Sequence, residues 1–520
     1  MLRLIIYSFI SGLLFFLSWP TKFFILTPLI FIAFVPLFLI EKEVKIKNKN
    51  SINVFLFSYI SFLIFNFSTT FWVEKAEPVI IGEGLFAVLC NAFFMSVVFY
   101  VYHIFQKKIK FISSLFFLSF FWICFEILHM NWDLNWPWLT LGNVFSEYPI
   151  WIQWYSYTGV IGGSLWVLAI NYLIFKTYLN FPYKSSLKLK DNLFVLLGIF
   201  LPIIISCIIY FSFVSSGSNI NILVAQSNID PNSEKFSKQA YKNEKAIFHD
   251  LTKGINDSVN YIIFPETYLS TPFTILNNNP IDYNRNQISY INRLVEDYPN
   301  LNVIIGGTIY HFIDGYKDYR KRPYKLYNSA LQINSKDIKY SHKSKLVPGA
   351  EQLPFKNFLK FFLKDNFLNL AGGSGNFSIQ DTISLLRHKD KIVATLVCYE
   401  SVFPNYVREC IKKGAQAIFI ITNDGWWGDS QGRKQHNSYA RIRAIETRRY
   451  VVRSANTGIS SVISPLGKFE HTLNYNISDS FIHSIKLLSF KTFYVKYGNF
   501  LIFIYLASIL LFSIIRKNKN

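Results

Sequence analysis

Before residue 216 the chain carries seven apolar stretches, near residues 4–19, 23–40, 52–72, 80–105, 111–130, 158–175 and 193–213, and an eighth spans Phe500 to Ile515. Each approaches the roughly 20 residues that a helix needs to cross the hydrocarbon core of a bilayer. In lipid every backbone polar group must be satisfied within the segment, and a helix does this by itself. The stretches therefore predict a polytopic α-helical membrane protein with eight helices. The first run follows Arg3 but ends in Ser18, Trp19 and Pro20, with a second run close behind. That reads as an uncleaved helix rather than a secretory signal.

The charge pattern orients these helices. The 53 Lys and Arg exceed the 32 Asp and Glu, giving a net charge of +21. With the N-terminus inside, the inner segments hold Arg3, Lys42, Lys45, Lys47, Lys49, Lys107, Lys108, Lys110, Lys176, Lys184, Lys188 and Lys190, and the tail adds Arg516, Lys517 and Lys519. The outer segments before residue 218 carry only Lys22 and Lys75. Cytoplasmic loops collect such residues, so the positive charge is read as topology, with both termini cytoplasmic, and not as a nucleic-acid surface. The loop between the fifth and sixth runs has no Lys or Arg but holds Trp132, Trp136, Trp138, Trp151 and Trp154, which suits an aromatic belt at the headgroup level.

Seven crossings bring the chain to the outer side at about residue 216, where the composition changes. The expected division is 1–215 as a seven-helix transmembrane region, 216–487 as an extracytoplasmic catalytic domain, and 497–515 as the closing helix. Within the middle part, short β-rich runs such as NINILVAQ, YIIFPET, NVIIGGTIY, IVATLVC and AIFIIT alternate with stretches of helical spacing such as NYVRECIKKG. This alternation predicts an inserted α/β domain.

Three chemically capable residues close β-rich runs or follow them. Glu266 ends YIIFPE, Cys398 ends IVATLVC, and Lys343 lies in YSHKSKLVPGAE, eight residues before Glu351. A thiol becomes a nucleophile when a neighbouring base takes its proton, and a carboxylate can do this. Attack on an acyl carbon builds an oxyanion, which an ammonium and backbone N–H groups stabilise. The set suits acyl transfer through a thioester. The other cysteines, Cys90, Cys124, Cys207 and Cys410, show no CxxC or Cys/His spacing, so neither a metal nor a cofactor is expected.

FPET, KSKLVPGAE and VCYE, followed by TNDGWWGD, resemble the nitrilase superfamily, whose Glu, Lys and Cys sit on an αββα sandwich. With seven preceding helices and one following, the chain resembles the apolipoprotein N-acyltransferase family of bacterial inner membranes. PWLTLGN (Pro137 to Asn143), VAQSNIDPNSEKF (Val224 to Phe236), YNSA (Tyr327 to Ala330) and QHNSYARIRAIETRRYVVRSANTGIS add to the resemblance. It implies Glu266 as general base, Lys343 as oxyanion stabiliser and Cys398 as nucleophile. Glu351, Tyr399, Glu400, Asn328, Phe236, Trp426 and Trp427 are implied as supporting or substrate-positioning residues. Phe236 stands where the family has a Trp on a mobile loop, and Gly349 and Ala350 replace a usual Phe-Gly.

The implied reaction moves an acyl chain from a membrane phospholipid to a diacylated apolipoprotein, with the catalytic domain on the periplasmic side of an integral, monomeric protein. A membrane-anchored amidase for small C–N substrates would need one anchoring helix, not eight. A lipoprotein-binding scaffold would need no nucleophile.

Overall fold

The computed structural model describes residues 1–20, 24–75, 83–106, 112–180, 185–230, 234, 239–275, 288–312, 324–355 and 377–517. The chain divides into two compact units, one of Met1–Phe213 with Thr492–Asn520, the other of Val214–Lys491.

In the first unit the described residues of each expected stretch include a helix. The helices are Leu2–Ser18, Phe24–Ile32 continuing into Val35–Ile46, Ile52–Thr70, Glu83–Gln106, Ile112–His129, Val160–Asn180, Ser185–Ser212 and Phe500–Lys517. They differ in reach. Among the described residues, five segments are long and apolar enough to cross a membrane, namely Phe24–Ile46, Ile52–Lys75, Gly84–Gln106, Val160–Leu179 and Asn192–Ser212. Leu2–Ser18 and Leu115–His129 are apolar but shorter. At about 1.5 Å per residue, the 17 residues of Leu2–Ser18 extend less than the roughly 30 Å hydrocarbon core.

Two buried polar side chains hold this unit where its backbone breaks. Pro28 sits in the 3₁₀ segment Phe24–Ile32. Asn171 repairs the break: its Oδ1 accepts from the Phe34 N–H at 2.8 Å and its Nδ2 donates to the Ile30 carbonyl at 2.7 Å. Glu126 anchors the PWLTLGN turn, accepting from the Leu141 N–H at 2.8 Å and from Trp122 Nε1 at 3.1 Å. Of the loop tryptophans, Trp138 is buried and packs on Trp72 with ring centroids 5.0 Å apart. It therefore belongs to the interior of the unit and not to a belt, because PWLTLGN folds inward onto Glu126.

The second unit is an αββα sandwich. One sheet contains β1 (Ser218–Gln226), β2 (Val259–Ile263), β3 (Phe273–Ile275), β4 (Asn302–Phe312), β5 (Tyr324–Ile333) and β6 (Ile338–His342). The other contains β7 (Leu386–His388), β8 (Lys391–Val397), β9 (Ala417–Thr422), β10 (Val451–Ala455), β11 (Ser461–Ile463) and β12 (Phe469–Thr472). The last strand, β13 (Asp479–Leu487), returns to the first sheet, whose order is β13-β1-β2-β4-β5-β6 with β3 on β4, while the second runs β12-β11-β10-β9-β8-β7.

Side-chain alternation builds the layers. Ile220, Ile222 and Val224 of β1 face Val393, Val397, Phe419 and Ile421 of the second sheet in one core. Leu223 and Ala225 point the other way, into a core completed by Phe248, Ile291 and Val295 from helices Ala240–Thr252 and Ser289–Asp297. Helices Pro404–Lys412 and Gln431–Thr447 pack on the second sheet. The latter ends at Arg448 in a left-handed conformation (φ 51°), which separates it from β10 although the sequence carries helical spacing up to Val452.

Gly306 sets how closely β4 approaches the turn that carries Glu266. A Cβ there would lie 2.4 Å from the Thr267 nitrogen and 2.6 Å from Glu266 Cα. The two segments are also tied by Gly306 N–H to the Pro265 carbonyl and Leu269 N–H to the Gly306 carbonyl. Gly306→Ala is expected to force the turn outward, lowering stability by about 1–3 kcal/mol in thermal or denaturant unfolding. It should also reduce activity, measured on the same preparation.

Candidate active site

Cys398 follows β8, whose last five residues are all buried. It takes φ 52°, a conformation costly for a residue with a Cβ, and opens the 3₁₀ turn Cys398–Val402. Glu400 fastens this turn at two points: Oε2 accepts from the Val397 N–H at 2.8 Å, and Oε1 from the Ser344 N–H at 2.6 Å. The turn that Cys398 opens is thereby bound to the residue after Lys343. Burial pushes Glu400 up to about 7 against the pull of these two N–H groups.

Asn328 lies on β5, and the Lys343 N–H donates to its carbonyl at 2.8 Å, extending the β5–β6 ladder past its last paired strand residue. The Lys343 ammonium lies 2.8 Å from Glu351 Oε1 and 3.3 Å from Glu266 Oε1. Asn328 Nδ2 donates to the same two oxygens, at 2.7 Å to Glu266 and 3.0 Å to Glu351. Two carboxylates therefore share one ammonium and one amide. The remaining oxygens meet backbone groups: Glu351 Oε2 accepts from the Val347 N–H at 2.9 Å, and Glu266 Oε2 from the Asn423 N–H at 3.0 Å. Gly349, at φ 86°, helps close the turn that brings Glu351 back to Lys343.

Burial opposes charge on Lys343, which is 1% exposed, but Glu351 and then Glu266 overturn it, so its pKa is raised and the ammonium persists. Burial also pushes the Cys398 thiol up; Glu266 adds to this and Lys343 offsets part of it. Cys398 rests as a thiol with a carboxylate close enough to act on its charge.

The structure thus brings Glu266, Asn328, Lys343, Glu351, Cys398 and Glu400 together. Tyr399 is buried beside them, its ring edge-on to Phe403 at 5.0 Å. Trp426 and Trp427 are half-buried in the turn Asp424–Trp427, one residue beyond the Asn423 N–H that binds Glu266. Phe236 lies outside the described residues. Cys410 is buried in helix Pro404–Lys412. Among the described residues no group of three or more His, Cys, Asp or Glu could hold a metal ion.

Arg441, Arg443, Arg448, Arg449 and Arg453 are all buried. Arg441, Arg448 and Arg449 donate to the carbonyls of Gly467, Pro465 and Ala415, and Arg453 pairs with Asp424. They bind the unit's own backbone and carboxylates. Sequence reasoning had no sign of the Asn423 backbone donor or of Gly306, since both act through main-chain geometry.

A Glu, Lys and Cys site at the strand ends of an αββα sandwich defines the nitrilase class, and the comparisons agree. Residues 224–487, just over half of the chain, match the carbon-nitrogen hydrolase family, and residues 11–173 match the apolipoprotein N-acyltransferase N-terminal domain. The chain belongs to the apolipoprotein N-acyltransferase family of the nitrilase superfamily, and it is a membrane acyltransferase. It is 27% identical to an apolipoprotein N-acyltransferase of Chlorobaculum tepidum over 87% of this chain and 85% of that one. It is 26% identical to the one of Rickettsia prowazekii over 88% of each, and 26% identical to the one of Geobacter metallireducens over 94% of this chain and 91% of that one. A nitrilase-superfamily structure from Saccharomyces cerevisiae superimposes with a TM-score of 0.37 at 16% identity, covering 52% of this chain and 93% of its own.

Two outcomes follow from the electrostatics. Because burial and Glu266 disfavour the thiolate, alkylation of Cys398 by iodoacetamide should keep rising through the alkaline range where an exposed thiol levels off. Mass spectrometry of the modified peptide against pH tests this. Glu351→Ala leaves the buried Lys343 with one carboxylate fewer and should cost about 3–5 kcal/mol of stability, read by unfolding in detergent. Glu351→Gln should cost less, since its amide oxygen still accepts from Lys343.

Proposed function

We propose that this protein transfers an acyl chain from a membrane phospholipid to the N-terminal amine of a diacylglyceryl-cysteine apolipoprotein, through a thioester on Cys398. The observation that carries the reading is the meeting of Glu266, Lys343 and Glu351 around one buried charge centre that acts on the Cys398 thiol. Membership in the family supports the substrate class.

In the first half-reaction Glu266 takes the thiol proton as Sγ attacks the ester carbonyl. A C–S bond forms, and the oxyanion is met by the Lys343 ammonium. Collapse breaks the ester C–O bond, and Glu266 returns its proton to the leaving lysophospholipid alkoxide. In the second, the lipoprotein α-amine attacks the thioester, Glu266 accepts a proton from it, and the C–S bond breaks. The products are an amide and a thiolate, which recovers the proton from Glu266.

A cavity of about 240 Å³ beside Glu266, lined in part by Asn243, Glu244, Ser270 and Asn456, is consistent with a small polar substrate end on that side. The charge bias of the loops supports a periplasmic catalytic domain with both termini cytoplasmic. A monomer suffices for this mechanism, because every residue it uses comes from one chain.

In cells depleted of other N-acyltransferases, Cys398→Ala should abolish N-acylation of lipoproteins, read by mass spectra of their N-terminal peptides. Wild-type protein given labelled phospholipid should carry a hydroxylamine-sensitive acyl group on Cys398. N-acylation at the wild-type level in Cys398→Ala would overturn the proposal, and release of free fatty acid with no transfer to the amine would favour a hydrolase.

A further inference from the structure

Behind Cys398 runs a buried chain of polar groups that the transfer mechanism above does not use. Ser401 Oγ donates to the Cys398 carbonyl at 2.8 Å and lies 2.9 Å from His436 Nε2. His436 Nδ1 lies 3.1 Å from Asp424 Oδ1 and 3.1 Å from an Arg453 guanidinium nitrogen. Asp424 is held in turn by Arg453 and by the Thr422 hydroxyl at 3.0 Å. Ser401, His436, Asp424 and Arg453 are each at most 2% exposed.

The order Ser, His, Asp has the atoms of a serine nucleophile, but Ser401 is sealed from solvent and its hydrogen is committed to the Cys398 carbonyl. The hydrogens can be assigned from the network. Since Ser401 donates to that carbonyl, it must accept from the His436 Nε2–H. Nδ1 then accepts from Arg453 or, when protonated, donates to Asp424.

The consequence lies in the peptide joining Cys398 to Tyr399. It is planar and trans, so its carbonyl and its N–H point in opposite directions. Cys398 sits at φ 52°, a strained conformation that needs outside support to persist. Holding the carbonyl on Ser401 turns the Tyr399 N–H away from the relay. We propose that His436, acting through Ser401, is a positioning residue that fixes the 398–399 peptide plane and so aims the Tyr399 N–H at the oxyanion formed on the acyl carbon. Asp424 and Arg453 hold the imidazole in the orientation this requires. The inference rests on Cys398 being the acylated nucleophile.

An activated aryl ester, p-nitrophenyl butyrate, tests it without lipid recognition, because its burst of nitrophenolate needs only the thiol and the oxyanion site. Iodoacetamide provides the contrast: its displacement reaction on the same thiol builds no oxyanion. For the full-length protein in detergent, His436→Ala should slow the burst about 10–100-fold with little change in the ester concentration at half-maximal rate. Alkylation of Cys398 should stay within about 2-fold of wild type. His436→Gln, which returns an N–H near the Nε2 position, should recover most of the burst rate. Ser401→Ala should repeat the His436→Ala pattern, and the double variant should be no slower than either single one, as expected for residues acting in one chain.

An unchanged burst in both single variants overturns the proposal, and so does a burst that falls in step with alkylation, which would mean general disorder of the site. If the wild-type protein shows a Cys398-dependent burst with the aryl ester but no thioester from phospholipid, the lipid reading fails and this inference stands. Absence of any Cys398-dependent burst overturns both.

Discussion

A lysine ammonium buried between two carboxylates is the interaction around which the catalytic unit is arranged. Lys343 is 1% exposed, and a charge removed from water to that extent is tolerable only when its partners are close and themselves satisfied. Glu351 and Glu266 supply the charge, Asn328 fills the gap between them, and the outer carboxylate oxygens reach the N–H groups of Val347 and Asn423. The last of these bonds crosses from the first sheet to the second. Stabilising one ammonium therefore also brings the strand ends of the two sheets together.

The same arrangement acts on the Cys398 thiol. Burial makes the surroundings of Cys398 unfavourable to a thiolate, and Glu266 reinforces this against the partial offset of Lys343. Glu400 adds stiffness by joining the turn after Cys398 to Ser344, next to Lys343.

Much of this was legible in the sequence. Apolar runs near bilayer length marked the helices, and the β-rich runs ending in FPE and LVC marked β2 and β8 with the groups they deliver. Their periodicity is set by local chemistry, which a sequence displays directly. Less visible was anything that depends on which strands become neighbours. Asn328 was noticed as a motif member, but its place between two carboxylates exists only once β5 has paired with β6. Nor does the sequence display that folding buries Arg441, Arg448 and Arg449 against carbonyls of residues distant along the chain. His436 and Ser401, 35 residues apart, meet only because helix Gln431–Thr447 lies beside the nucleophile turn. The short strands β3, β7, β11 and β12 were hardest to foresee as separate elements, since three or four residues carry too little alternation to stand out.

The pairing of β1 with β13 bears on how the chain is made. Ser218 lies opposite Leu487, and Gln226 opposite Asp479, in an antiparallel register whose partners are separated by most of the domain. During synthesis β1 emerges early and its open edge waits for a strand that appears some 270 residues later. At roughly 5–20 residues per second, that edge stays unpaired for many seconds. Completion of the first sheet thus waits for the last strand of the unit. A ribosome that stops anywhere before residue 479 leaves a catalytic unit with an exposed edge, a substrate for chaperones and proteases rather than a partly active enzyme.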